Sequence, residues 1–151
     1  VTFALAILNY YTGQEFHNPI YAVPTRQIVN NVKVQATASD LIIADHDTVF
    51  GYYYLASPGP ALFQTTDLTA NQTTIGALDP TRVWLISFGR DRTAVRSETE
   101  ALASWLATDY IEHSRQGYGE VGASYRWVKE RLLHRPAYAS KLTVTQYVRV
   151  R

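Results

Sequence analysis

Asp40–Leu55 reads DLIIADHDTVFGYYYL, and the fold follows from how this stretch is divided. Leu41 to Asp45 reads as a short strand, and its unbroken apolar run Leu41, Ile42, Ile43 and Ala44 is of the kind found in strands covered on both faces. The polar cluster Asp45-His46-Asp47-Thr48 interrupts it, and a tyrosine-rich segment of helical character follows, Val49 to Leu55. A strand that runs through a short polar turn into a helix is the building unit of α/β sheets. In such sheets the turn lies at the carboxyl end of the strand, where ligands are usually held. Asp47 or Thr48 would equally serve as a simple cap for the next helix.

Working outward, the same alternation continues. Thr25 to Gln35 reads as a helix started by Pro24, with Ile28, Val29 and Val32 in its apolar stripe. The Ser57-Pro58-Gly59-Pro60 breaker leads into a short strand, Ala61 to Thr65, and Asp67 caps a helix reaching Leu78. Arg82 to Phe88, RVWLISF, is the clearest buried strand. Beyond Gly89 and an arginine-rich loop, Ser97 and Glu100 form a capping-box pattern, with Ala101, Leu102, Trp105 and Leu106 on the helix face. Tyr110 to Gly117 is a further candidate strand, and Ser124 to His134 an amphipathic helix stopped by Pro136. Lys141 to Val150 alternates apolar and polar residues, which predicts a half-exposed antiparallel strand at a sheet edge. The pattern predicts one α/β domain over residues 1–151: a three-layer, Rossmann-like sandwich whose sheet is mostly parallel, with the C-terminal edge strand antiparallel.

Composition narrows the function. The chain has 151 residues, 46% hydrophobic and 18% charged, with a net charge of +1. That is a globular composition, and it makes no bulk electrostatic case for nucleic acid. Cysteine is absent, so disulfides and thiolate metal sites are excluded. Methionine is absent too, and the chain opens on VTFALAI, so a piece of a longer polypeptide is expected. This opening run is too short to cross a bilayer and lacks the basic flank of a signal peptide. It reads as a first packed segment or as the stub of a membrane helix.

Motifs for familiar chemistry are missing. The first apolar strand ends in Asp-His-Asp and not in the glycine-rich turn of a nucleotide-binding domain, the chain has no phosphate loop, and no G-x-S-x-G elbow marks a hydrolase nucleophile. Ser87 lies within a strand and Ser57 in a proline turn, while His17, His113 and His134 have no acid at a telling spacing. No cofactor is expected. Three adjacent residues rarely converge on one ion, so no metal is assigned to Asp45, His46 and Asp47. With both flanking strands parallel, Arg90 and Arg92 would approach Asp45, His46 and Asp47. That group would be a contact site for a phosphate or a sulfate, or merely a salt bridge across the strand ends. Tyr52, Tyr53 and Tyr54 with Phe50 would offer a sugar-stacking surface, although consecutive helical positions diverge and at least one tyrosine should enter the core. Asn71-Gln72-Thr73 matches the N-glycosylation sequon.

Taken in order, NPIYAVPTRQIVNNV, DLIIADHDTVFGYYYL, RVWLISFGR and YRWVKERLLHRPAYASKLTVTQYVR resemble the C-terminal extracytoplasmic domain of GT-C class membrane glycosyltransferases, related to protein mannosyltransferases and lipid A aminoarabinose transferases. Members resembling this chain follow their last membrane helix with a helix, a D-x-I-x-x-D strand, a Tyr-Tyr pair and an R-V-W-L strand. The resemblance implies a polyprenyl-phosphate-sugar donor and a location on the outer face of a membrane. It also implies a partner in the membrane-embedded remainder of the same polypeptide. The family's catalytic acid lies in an earlier loop that no residue here matches, so the domain itself would be non-catalytic, touching acceptor or sugar. A free-standing small hydrolase or phosphotransferase and a carbohydrate-binding module are the alternatives.

Overall fold

A computed structural model of the protein describes residues 23–45, 48–64, 67–88, 93–120, 122–132 and 140–150. In chain order they form α1 (Thr25–Gln35), β1 (Asp40–Ala44), α2 (Thr48–Leu55), β2 (Ala61–Phe63), α3 (Leu68–Leu78), β3 (Arg82–Phe88), α4 (Thr93–Asp109), β4 (Tyr110–Glu120), α5 (Ala123–Arg131) and β5 (Ser140–Arg149). The strands make one sheet in the order β2-β1-β3-β5-β4. β1 pairs in parallel with β2 and β3, and β5 runs antiparallel to both β3 and β4. Four strands therefore point one way and β5 the other, which gives the expected α/β class with a mostly parallel sheet.

Alternation along the two central strands builds a core on each face. Ile42 and Ala44 of β1 join Trp84, Ile86 and Phe88 of β3 under α1 and α2, where Ile28, Val29, Val32, Phe50 and Tyr54 close the layer. Leu41 and Ile43 join Val83 and Leu85 on the opposite face, against Ile75 of α3 and Leu102 and Leu106 of α4. Successive strand side chains point to opposite faces, so an all-apolar run can only be satisfied by cover on both sides. Each such side chain contributes about 1.5–3 kcal/mol on burial. The result is three layers.

The C-terminal strand departs from expectation. β5 is antiparallel as predicted, but it lies inside the sheet, between β3 and β4. Its Thr145 and Gln146 are buried along with Leu142, Val144 and Tyr147, so both faces of the middle of the strand are covered by protein, while Arg149 at its end stays exposed. The edge is β4, whose residues 111–117 are exposed. A register shift between Glu112 and Ser114 and the Arg115–Glu112 ion pair, 2.6 Å, roughen that edge, a common defence against unwanted strand pairing.

Helix boundaries follow local chemistry, with one exception. Asp67 caps α3 by accepting from the Ala70 amide at 2.8 Å, as its type and position predict. The same helix ends on Asp79, in the left-handed region at φ 48°, where an ion pair with Arg149 holds it to the end of β5. α4 begins at Thr93, a full turn before the capping-box pattern, so Ser97 and Glu100 are interior helix positions and not its start. The Pro136 stop and the VTFALAI opening lie outside the described residues.

Candidate functional site

The sheet order produces a switch point between β1 and β3. The connection from β1 passes through α2 on one face to β2, whereas that from β3 passes through α4 on the other face to β4. Neighbouring strands whose connections leave in opposite directions open a crevice at their carboxyl ends. Asp45 stands there. It is 2% exposed, its amide donates to Ile86 O at 3.0 Å, and its carboxylate Oδ2 accepts from the Phe88 amide at 2.9 Å. The carboxylate thus ties the end of β1 to the end of β3.

The remaining predicted contact residues, His46, Asp47, Arg90 and Arg92, lie outside the described residues. The premise that brought them together holds nonetheless. β1 and β3 are parallel neighbours, with Ala44 opposite Ile86. Among the described residues no group of three histidine, aspartate or glutamate side chains is placed to hold a metal ion.

The amino end of the same strand pair carries a denser arrangement that the sequence reading passed over. The side chain of Asp40 is fully buried. Its carboxylate accepts from the Thr37 amide at 3.0 Å, Thr37 Oγ1 at 2.9 Å, Arg82 Nε at 3.1 Å and Trp84 Nε1 at 3.1 Å, and pairs with Arg82 Nη2 at 2.8 Å. Burial alone would raise its pKa, but the donors of Thr37, Trp84 and Arg82 outweigh that and hold the carboxyl below its ordinary value. Asp40 is opposite Arg82 in the register. An acid opening one apolar strand, with an arginine and a tryptophan opening the next, was the available signal.

α2 forms a third locus. Tyr54 is 2% exposed and stacks on Phe50 with ring centroids 6.0 Å apart, so one tyrosine does enter the core. Its hydroxyl donates to Pro60 O at 2.9 Å. Burial, and then the negative charge of Asp40, push its pKa up to about 12. Lys33 of α1 donates to the Tyr54 carbonyl, to Ser57 O at 2.6 Å and to Ser57 Oγ at 2.8 Å. Its ammonium also sits 4.4 Å from the Tyr54 ring centroid, and burial lowers its pKa. The Ser57 hydroxyl is therefore a lysine acceptor. Tyr52 and Tyr53 face outward, 73% and 36% exposed, in edge-to-face contact at 5.4 Å.

Asn71 is 0% exposed on α3, so a glycan at the sequon is incompatible with this fold. No described helix is long and apolar enough to cross a membrane. No protein-family profile, no curated protein and no solved structure matches the chain.

Proposed function

We propose that this chain is the extracytoplasmic α/β domain of a GT-C class membrane glycosyltransferase that uses a polyprenyl-phosphate sugar, and that it has no catalysis of its own. What supports the reading is the joint at Asp40. The D-x-I-x-x-D and R-V-W-L segments that carry the resemblance are two halves of one hydrogen-bonded unit, through Asp40, Arg82 and Trp84. The second aspartate of the first motif, Asp45, fastens the other end of the same strand pair. Motifs that meet in this way serve a scaffold, and a scaffold is what an accessory domain contributes. Its partner is then the membrane-embedded part of the same polypeptide. Asp45 at the switch point, together with His46, Asp47, Arg90 and Arg92, would meet the acceptor or the sugar phosphate on the outer face of the membrane.

The test begins with the coding sequence around this chain, which must encode several membrane helices ahead of Val1. A reading frame without them overturns the proposal in favour of a free-standing α/β enzyme. Sugar transfer from a polyprenyl-phosphate donor is then measured for the whole polypeptide, native and with Asp45→Asn and Arg90→Ala together. Lowered transfer with unchanged protein level is expected. Unchanged transfer removes the contact role from the strand ends.

A further inference from the structure

We infer that Ser57 is a reactive serine, with Lys33 as its base, that takes up the acyl group of an activated ester. This stands apart from the transferase reading, because it concerns covalent modification of the chain and not sugar transfer. Lys33 Nζ lies 2.8 Å from Ser57 Oγ, 2.6 Å from Ser57 O and within hydrogen-bond reach of Tyr54 O. In the ammonium form, three N–H groups serve these three oxygens. The neutral amine has two N–H groups and one lone pair. Carbonyl oxygens can only accept, so the two carbonyls take both N–H groups, and the lone pair is left for the Ser57 hydroxyl proton. Loss of one proton therefore turns the clamp into a base with every heavy atom in place. A serine hydroxyl served by a neutral lysine is a recurring form of activated nucleophile.

The surroundings of Lys33 favour that proton loss. No carboxylate pairs with it among the described residues, and burial lowers its pKa. On α2 the group that faces it is Tyr54, with its ring 4.4 Å from the ammonium and its own pKa pushed up to about 12. Tyr52 and Tyr53 face outward, Ala56 to Pro60 carry no titratable side chain, and Arg26 of α1 is two turns away. Ser57 itself is exposed, and its turn is held in place. The Tyr54 hydroxyl donates to Pro60 O at 2.9 Å. A Cβ on Gly59 would come within 3.0 Å of that hydroxyl and 3.2 Å of Lys33 Cε, so the backbone rests directly on both side chains. Pro58 and Pro60 fix φ on either side of it. An exposed hydroxyl on a fixed turn, with an amine behind it, is placed to react. In the step itself Ser57 Oγ bonds to the acyl carbon, and the bond from that carbon to the departing oxygen breaks. The Oγ proton passes to Lys33 Nζ and from there to the departing oxygen, which returns the amine to its neutral form.

The test uses p-nitrophenyl acetate as the ester, with the modified residue located by peptide mass mapping. Acetylation of Ser57 is expected, at a rate that rises with pH around a midpoint below that of an ordinary lysine. Ser57→Ala should lose this modification. Lys33→Met should slow it about a hundredfold. Lys33→Arg should slow it as much, because arginine keeps donors for the two carbonyls but cannot give up its proton. A merely structural lysine would let the arginine variant react at the native rate. Circular dichroism checks that each variant is folded. No acetyl group on Ser57 overturns the inference. So does a native rate in Lys33→Arg, or a midpoint at the ordinary lysine value.

Discussion

The indole N–H of Trp84 donates to the Asp40 carboxylate at 3.1 Å, across the central parallel strand pair. Arg82 reaches the same carboxylate from the solvent side. Removing Asp40 would therefore strand a buried indole donor and a half-buried guanidinium together. Asp40→Ala should cost about 3 kcal/mol of folding stability, measured by urea denaturation. Trp84→Phe loses one hydrogen bond and some packing volume, and should cost about 1–2 kcal/mol. Equal stabilities for Asp40→Ala and the native chain would show that the joint contributes nothing.

The same carboxylate should make stability depend on acid. Its pKa is lower folded than unfolded, so the unfolded chain binds the proton more tightly. The stabilisation is complete above the unfolded value, near 4, and is lost as pH falls through the folded value. Urea midpoints for the native chain and for Asp40→Asn, taken from neutral pH downward, should therefore differ at pH 6 and converge below about pH 4. A gap that persists undiminished into acid would locate the titration elsewhere.

The fold was largely legible because its central strands are short apolar runs. β3 has the predicted limits, Arg82–Phe88, and β1 shifts by a single residue, to Asp40–Ala44. An unbroken apolar strand has to be covered on both faces, which already implies three layers. The place of β5 was not legible. Thr145 belongs to the face that looks wet in sequence, yet it is buried between β3 and β4, and only long-range pairing decides that. For the same reason Asp45 drew attention while Asp40 did not. The chemistry of Asp40 depends on Arg82 and Trp84, more than 40 positions along the chain.

Lys33 and Tyr54 make a second joint, between α1 and the last turn of α2. Lys33→Met keeps the aliphatic stem but removes the donors to Tyr54 O and Ser57. It should lower stability by about 1 kcal/mol, and salt should reduce the native advantage. Unfolding curves of the two proteins at low and high salt would measure both effects.

Tyr54 offers a spectroscopic check on that packing. Its folded pKa, about 12, lies above the unfolded value. The stabilisation it provides is therefore complete below about pH 10 and is lost as pH rises through the folded value. Ultraviolet titration of tyrosinate absorbance should show a late component near pH 12, and Tyr54→Phe should remove one tyrosine from it. If Tyr54→Phe instead removes absorbance that titrates near pH 10, the phenol is not buried as described.

Asp45 allows a structural role to be separated from a contact role. Its Oδ2 accepts the Phe88 amide at 2.9 Å, in a position that is almost fully buried. An asparagine can keep that hydrogen bond through its carbonyl oxygen, and an alanine cannot. Asp45→Ala should therefore lose about 1–3 kcal/mol of stability, with Asp45→Asn losing markedly less. On the proposed transferase reading, sugar transfer measured for the whole polypeptide then divides the two roles. If the carboxylate only fastens β1 to β3, transfer should follow stability, and Asp45→Asn should be nearly native. If its charge also meets a ligand, Asp45→Asn should lose transfer while its unfolding midpoint stays close to the native one. Proposed contact at the strand ends requires the second pattern, and the first would reduce Asp45 to a clamp.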